Sequence, residues 1–185
     1  LAFFPSAVLG VLFIGVIKQY LFNPTAVACA LLAGGFLILL AEKRSHVVRV
    51  NTVDEITWRD ALKIGSAQAL ALAPGTSRSG ATIIGGLFFG LSRQTATEFS
   101  FFLAIPTMLL ATAYELFENR ALLRLEDAGI FLVGFISAFI FAMVAIRGLL
   151  RYIQQHDFTL FAWYRIAFGI LILASSHWGW IHWRG

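Results

Sequence analysis

The sequence predicts an all-α protein: a polytopic membrane helical bundle with one re-entrant helix hairpin. Three observations predict it. Of 185 residues, 59% are hydrophobic and 13% charged, roughly half the charged share of an ordinary soluble domain, and the mean hydropathy is +0.80. Five apolar runs approach or reach the length of about 20 residues that a helix rising about 1.5 Å per residue needs to cross about 30 Å of hydrocarbon. Between the second and third of these runs lie two shorter apolar stretches, separated by the polar string Pro74-Gly75-Thr76-Ser77-Arg78-Ser79-Gly80. The length suits one domain, so residues 1–185 are read as a single integral membrane domain.

The spans fall at about 6–22, 24–41, 98–117, 128–146 and 160–180. The first carries Lys18 near its end, where a long side chain snorkels to the interface. The second follows the Asn23-Pro24 turn and contains the single cysteine, Cys29, read as a small core residue. One cysteine excludes a disulfide framework and a cysteine metal site. The third span contains Pro106, the fourth has no charge, and the fifth contains Arg165 and ends near Trp178, Trp180 and Trp183, a candidate interfacial belt. The chain opens Leu1-Ala2-Phe3, and no basic segment followed by a cleavage site marks a signal peptide. A net charge of +4, thinly spread beside apolar runs, argues against a nucleic-acid partner. With the 42–59 loop on the cytoplasmic side, Lys43, Arg44, Arg49, Arg59, Lys63, Arg93, Arg147 and Arg151 face inward against Lys18, Arg120, Arg124 and Arg184 outward, the sense that the positive-inside bias favours.

The re-entrant hairpin is placed at about 58–92. Its arms, 60–73 and 80–91, would be about 21 and 18 Å long as helices, and neither crosses alone. Thr57-Trp58-Arg59-Asp60 supplies a capping box for the first arm, and Pro74-Gly75 ends it. Non-helical backbone at membrane depth persists only where protein encloses it or where it lines a watery cavity. The hairpin therefore predicts a pocket at its tip.

Thr76, Ser77, Ser79 and Thr82 with Arg78 gather four hydroxyls and a guanidinium within seven residues, and Gly75 and Gly80 admit close approach of a ligand. With the dipole end of the second arm, these make an anion site suited to the diphosphate of a membrane lipid. A structural alternative stands beside it: the hydroxyls cap the two half-helices and Arg78 pairs with a carboxylate such as Glu98. The tip has no base. His46, His156, His177 and His182 sit in loops or at the C-terminal boundary, and Glu115 and Glu118 lie at the outer end of their helix. Glu98 and Arg165 are read either as structural partners or as groups reaching the pocket.

Ala71-Leu72-Ala73-Pro74-Gly75-Thr76-Ser77-Arg78-Ser79-Gly80-Ala81-Thr82-Ile83, followed by Gly90-Leu91-Ser92-Arg93 and by Glu98-Phe99-Ser100-Phe101-Phe102-Leu103-Ala104-Ile105-Pro106, resembles the undecaprenyl diphosphate phosphatase (bacitracin resistance) family. The resemblance implies a multi-pass hydrolase of the bacterial cytoplasmic membrane. It would convert the C55 isoprenoid diphosphate to the monophosphate plus phosphate, recycling the lipid carrier of peptidoglycan synthesis. The implied fold is an inverted repeat whose two re-entrant tips meet, and the implied cofactor is a divalent cation, Mg or Ca. Carried over, Ser77 and Arg78 fall on catalytic positions, and Thr76, Ser79, Gly80 and Thr82 on substrate-binding ones. The family also has an N-terminal hairpin with a Glu-x-x-x-Glu motif and a histidine, which this sequence does not contain. The resemblance thus implies a member truncated at its N-terminus, with no metal ligands of its own and incomplete chemistry. Membrane lipid is the expected partner, and a homo-oligomer is compatible with the reading. Two other functions remain open from the residues: a transporter or scramblase of lipid phosphates, because broken helices aim dipoles at midplane anions, and a non-catalytic membrane fragment.

Overall fold

The structure, a computed structural model, describes residues 1–44, 47–122 and 124–178. It contains seven α-helices and no strand among those residues. They are α1 (Phe3–Leu21), α2 (Pro24–Lys43), α3 (Trp58–Gln68), α4 (Arg78–Phe88), α5 (Arg93–Glu118), α6 (Ala128–Ile153) and α7 (Thr159–His177). Four of them, α2, α5, α6 and α7, are long and apolar enough to cross a membrane. α1 is bent by 75° between Phe3–Phe13 and Gly15–Leu21 and makes a fifth if its two halves count as one span.

The longest-running contact is between α2 and α7. Glycine permits it: a Cβ on Gly35 would lie 2.6 Å from Ile166 Cγ1, and one on Gly169 would lie 3.0 Å from Leu32 Cγ. Small residues of this kind let membrane helices approach by their backbones, where dispersion and not hydrophobicity drives association. The two helices run antiparallel, since the Phe158 N–H donates to Glu42 Oε1 at 3.1 Å where α2 ends and α7 begins. α2 starts on a side-chain cap, with Asn23 Oδ1 accepting from the Ala26 N–H at 2.8 Å and Pro24 at the first helical position.

The re-entrant hairpin is α3, a 3-10 turn over Ala69–Leu72, the Pro74-Gly75 bend and α4. The capping box forms at its start: Thr57 Oγ1 accepts from the Asp60 N–H, and the Asp60 carboxylate accepts from the Thr57 N–H at 3.2 Å and the Thr57 hydroxyl at 2.6 Å. Both open ends of the hairpin are tied at one end of the bundle by the same short strand of loop. Arg49 pairs through its guanidinium with Asp60 at the start of α3, and its backbone N–H donates to Gly90 O, just past α4, at 2.9 Å. Val50 and Leu91 form an isolated parallel bridge beside it. Gly90 takes φ +85°, the left-handed region in which glycine stops a helix without steric cost. The Arg49 guanidinium, together with the Thr57 hydroxyl and N–H, holds the Asp60 carboxyl well below the usual carboxylate range.

Several elements differ in extent from the sequence expectation. α5 begins at Arg93, where Ser92 Oγ accepts from the Thr95 N–H at 3.1 Å, five residues ahead of the expected start. α6 runs on past Arg147 and Arg151 to Ile153, because basic residues favour the negative end of a helix. Cys29 is a correction: it is exposed on α2 and not in the core, since an apolar position in a membrane helix faces lipid as readily as protein. α6 is exposed along its whole apolar window for the same reason. Trp178 is exposed at the end of α7, whereas Trp180 and Trp183 lie outside the described residues, as do His46, His182 and Arg184.

Candidate active site at the re-entrant tip

The bend between α3 and α4 is set by Gly75. Its φ of +87° is left-handed, and a Cβ there would lie 2.5 Å from Val27 O, so the tip backbone is pressed against the first turns of α2. Val27 stands 15 residues before Glu42, which marks the end where the hairpin is tied. At about 1.5 Å per residue the tip lies about 22 Å along α2 from that end. Val27 is also only three residues, about 4.5 Å, from the start of α2 at Pro24, so where α2 crosses, the tip lies toward the face opposite the tied end.

A second grip comes from α7. Arg165 Nη2 donates to Gly75 O at 3.0 Å and to Ala30 O at 3.3 Å. Gly34 makes the room, because a Cβ at that position would collide with the guanidinium. Arg165 of the candidate span α7 therefore holds the carbonyl of the bend, while its Nε is buried with no partner among the described residues.

α4 starts at the tip. Ser77 Oγ accepts from the Gly80 N–H at 3.1 Å and lies 3.2 Å from Ser79 Oγ. This is a side-chain cap, as the structural alternative required, and it also places two hydroxyls at the positive end of the helix. The other half of that alternative is absent among the described residues: Glu98 accepts from Gln94 Nε2 at 2.8 Å, one turn along its own helix, and Arg78 Nη1 is buried without a hydrogen bond to any of them. Arg78 as a whole is only partly buried, but a donor nitrogen withdrawn from water and left unfilled is costly unless something arrives to accept from it.

The expected site residues divide. Thr76, Ser77 and Gly80 line a cavity of about 460 Å³ between α2, α3, α4 and α7, and Ser77, Ser79 and Gly80 line a second of about 220 Å³ toward Phe158, Phe161 and Tyr164. Arg165 lines both. Arg78 lines neither, and Thr82 is fully buried in the α4–α5 contact. Its hydroxyl reaches Arg78 O and Ser79 O at 3.1 Å and Ser100 Oγ at 2.7 Å. In this arrangement Thr82 secures the first turn of α4 to α5 and has no face open to a ligand. Glu115 Oε2 accepts from Asn119 Nδ2 at 3.2 Å at the exposed end of α5, and His156 stacks on Tyr152 with centroids 4.5 Å apart at the tied end. Neither approaches the tip. Gly34 was not anticipated. Its signal was the Gly34-Gly35 pair facing a run that contains an arginine.

Among the described residues no three of His, Cys, Asp and Glu converge as a metal-ligand set. Hydroxyls and guanidinium groups suit an anion, whereas Mg²⁺ and Ca²⁺ need several oxygen ligands including carboxylates. The tip does not fit a divalent cation on its own.

A family model described as bacitracin resistance protein BacA matches residues 1–171. The chain belongs to this family. It is a multi-pass membrane protein, with several apolar helices long enough to cross. Over 185 residues it is 61% identical to a Nitrosospira multiformis protein, covering 100% of this chain and 68% of the relative. A Pseudomonas fluorescens protein is 58% identical over 183 residues (99% and 66%), and a Nitrosomonas eutropha protein 60% identical over 182 (98% and 67%). All three relatives are named undecaprenyl-diphosphatase. The chain spans about two thirds of the length of these curated relatives.

Proposed function

We propose that the re-entrant tip binds the diphosphate of an isoprenoid lipid, and that this BacA-family chain is the substrate-holding part of an undecaprenyl diphosphate phosphatase of the bacterial cytoplasmic membrane. The single observation that carries the reading is the buried, unpartnered Nη1 of Arg78 next to the Ser77–Ser79 cap, inside a bundle of apolar helices. The names of the relatives supply the substrate and reaction class.

Hydrolysis of the lipid diphosphate adds water across the phosphoanhydride, giving the lipid monophosphate and inorganic phosphate. Negative charge builds on the oxygens of the phosphoryl group in flight and on the leaving oxygen, so donors fixed beforehand lower the barrier. Arg78 lines neither cavity in this arrangement and would have to turn its guanidinium into the tip pocket to offer two N–H groups to one phosphate. The Ser77 and Ser79 hydroxyls add donors, and Thr76 lines the approach. Arg165 and Gly75 keep the bend still, so that the donors are already aimed when the phosphate arrives. A base and any divalent cation, Mg or Ca, would be supplied by groups other than the tip's own; a second re-entrant tip is the source that the family resemblance implies.

The test is phosphate release from a polyprenyl diphosphate in detergent, where no transport is possible. The protein used is this chain completed with the part of the Nitrosospira multiformis relative that it does not cover. Arg78→Ala should lower turnover by about 10² to 10³, the scale for losing a preorganised donor. Arg78→Lys should recover only part of this, since an ammonium cannot grip a phosphate bidentately. Near-native release by Arg78→Ala, or vesicle translocation of the lipid without any release, would overturn the reading.

A further inference from the structure

The larger cavity is apolar where the tip is polar. Its walls are α2 on one side, the α3 arm on the other and the face of α4 between them; its polar groups gather at the ends except for Ser66 on α3, whose hydroxyl donates to Leu62 O. Thr76, Ser77 and Arg165 stand at the tip end; Lys63, whose Nζ lies 5.9 Å from the Phe89 ring centroid, stands toward the tied end. Between them the surface is Leu37, Ala67, Leu70, Ala81, Ile84 and Phe88. α2 packs on α4 and α7, and α3 packs on α4, while α2 and α3 do not pack closely on each other. Leu37 of α2 and Leu70 of the 3-10 turn after α3 are 45% and 62% exposed, so the gap between these two elements is open at its side in this chain.

We propose that this gap is the slot for the first few isoprene units of the lipid, those joined directly to the diphosphate held at the tip. The inference rests on the phosphatase reading and deepens it. A chain leaving Ser77 toward the tied end passes over Ala81 and over Ala67, whose methyl packs on Gly85, and stays on mostly apolar surface to Phe88. A volume of about 460 Å³ is of the size that takes a small ligand. It holds the start of a long tail, and the remainder leaves between Leu37 and Leu70 into the bilayer. Apolar contact is worth more in this slot than along the rest of the tail, because the tail's far end exchanges lipid for lipid and gains nothing.

Two consequences follow for chain length. The preference of the enzyme should rise steeply from a one-isoprene to a three-isoprene diphosphate and then level off, with longer chains adding little. Filling the slot should erase the rise: Ala81→Leu from one arm and Ala67→Leu from the other should each cut the three-to-one ratio of kcat/KM by about 10-fold or more, the discrimination a hydrophobic pocket achieves. Leu37→Trp, at an exposed position that folding does not need, should narrow the mouth and reduce the ratio for the longest chains most. The measurement is phosphate release by the completed protein in detergent, with the one-isoprene substrate reporting the integrity of the tip. A ratio left unchanged by both alanine replacements, or a preference that climbs with every isoprene up to the longest chain, would overturn the slot. If no substrate is hydrolysed, the phosphatase reading fails separately. The slot is then read with a photoactivatable three-isoprene diphosphate, whose cross-links should fall on residues 63–70 and 81–88. Cross-links confined to other segments would reject the slot.

Discussion

The two ends of the re-entrant hairpin use the same side chains and leave them in opposite states. At the tied end, Arg49 is paired with Asp60, Arg93 with Glu42, and the Thr57 hydroxyl is satisfied within its capping box. At the tip, Ser77 caps α4 by a side-chain acceptor as well, yet Arg78 Nη1 and Arg165 Nε are buried with nothing among the described residues to donate to. Arginine and hydroxyl at one end close a structure; at the other they leave it open for an anion. A buried charge with its partner present contributes specificity of fold, and one without its partner marks the place where a ligand completes the set.

If that contrast is right, the tip should fail functionally before it fails structurally. Gly75→Ala is the most severe break. The new Cβ meets Val27 O at 2.5 Å, and the φ of +87° is one an alanine rarely adopts. The bend must move by an appreciable fraction of an ångström, and misplacement of about 1 Å costs about 10² in rate. Phosphate release should fall by at least that factor while the helical circular dichroism stays native. Loss of helix in parallel with activity would show that the tip is part of the scaffold.

At the other end the expected order is reversed. Asp60→Asn removes the negative partner of Arg49 and weakens the capping box, and the cost in stability should be on the order of 2 kcal/mol with turnover per folded molecule nearly unchanged. Its pH dependence has a definite sign. The Asp60 carboxyl is held below its usual range in the folded protein, so its contribution is complete above about pH 4, the unfolded value, and disappears as pH falls through the folded value. Thermal melts in detergent between pH 7 and 3 should show the native protein losing stability below about pH 4, and the variant lacking that part of the loss. An identical acid limb in both would remove Asp60 from the account.

Gly34→Ala separates the two grips on the tip. It touches the Arg165 guanidinium and leaves Gly75 itself intact. Displacing the guanidinium from Gly75 O should lower turnover about tenfold, near 1.4 kcal/mol of barrier, and Arg165→Lys should resemble it because an ammonium cannot span both carbonyls in one plane. Full activity in both would mean that the contact with Val27 alone fixes the bend.

How far these features were legible differs along the chain, for physical reasons. The helices were readable because an apolar run of span length has one stable backbone in lipid, and the hairpin because its arms are too short to cross and a proline-glycine pair divides them. Thr57 and Asp60 could be paired from spacing, since a capping box is local. Arg165 could be noticed but not assigned: its acceptors, Ala30 O and Gly75 O, lie 135 and 90 residues away in sequence, and no local pattern encodes such distances. Cys29 misled because apolar surroundings in sequence say nothing about which face of a membrane helix a residue occupies. Arg49 tied to both hairpin ends was likewise beyond reach, as its partners come from two different elements.

Thr82 is the residue on which sequence and structure pull hardest against each other, and it yields the smallest and most discriminating effect. Its place in the hydroxyl-rich string resembles that of a phosphate contact, while its coordinates give it Ser100 Oγ at 2.7 Å and no exposure. Thr82→Val should cost about 1 kcal/mol of stability, the net worth of a buried hydrogen bond plus the unsatisfied Ser100 hydroxyl it leaves. Adding Ser100→Ala should recover part of that cost, because removing both polar partners is cheaper than removing one. Turnover should change no more than twofold in either. A fall of 10² in Thr82→Val with stability intact would instead mean that α4 opens at its first turn when substrate binds, exchanging the Ser100 contact for a phosphate oxygen, and the tip would then be a moving part where the tied end is fixed.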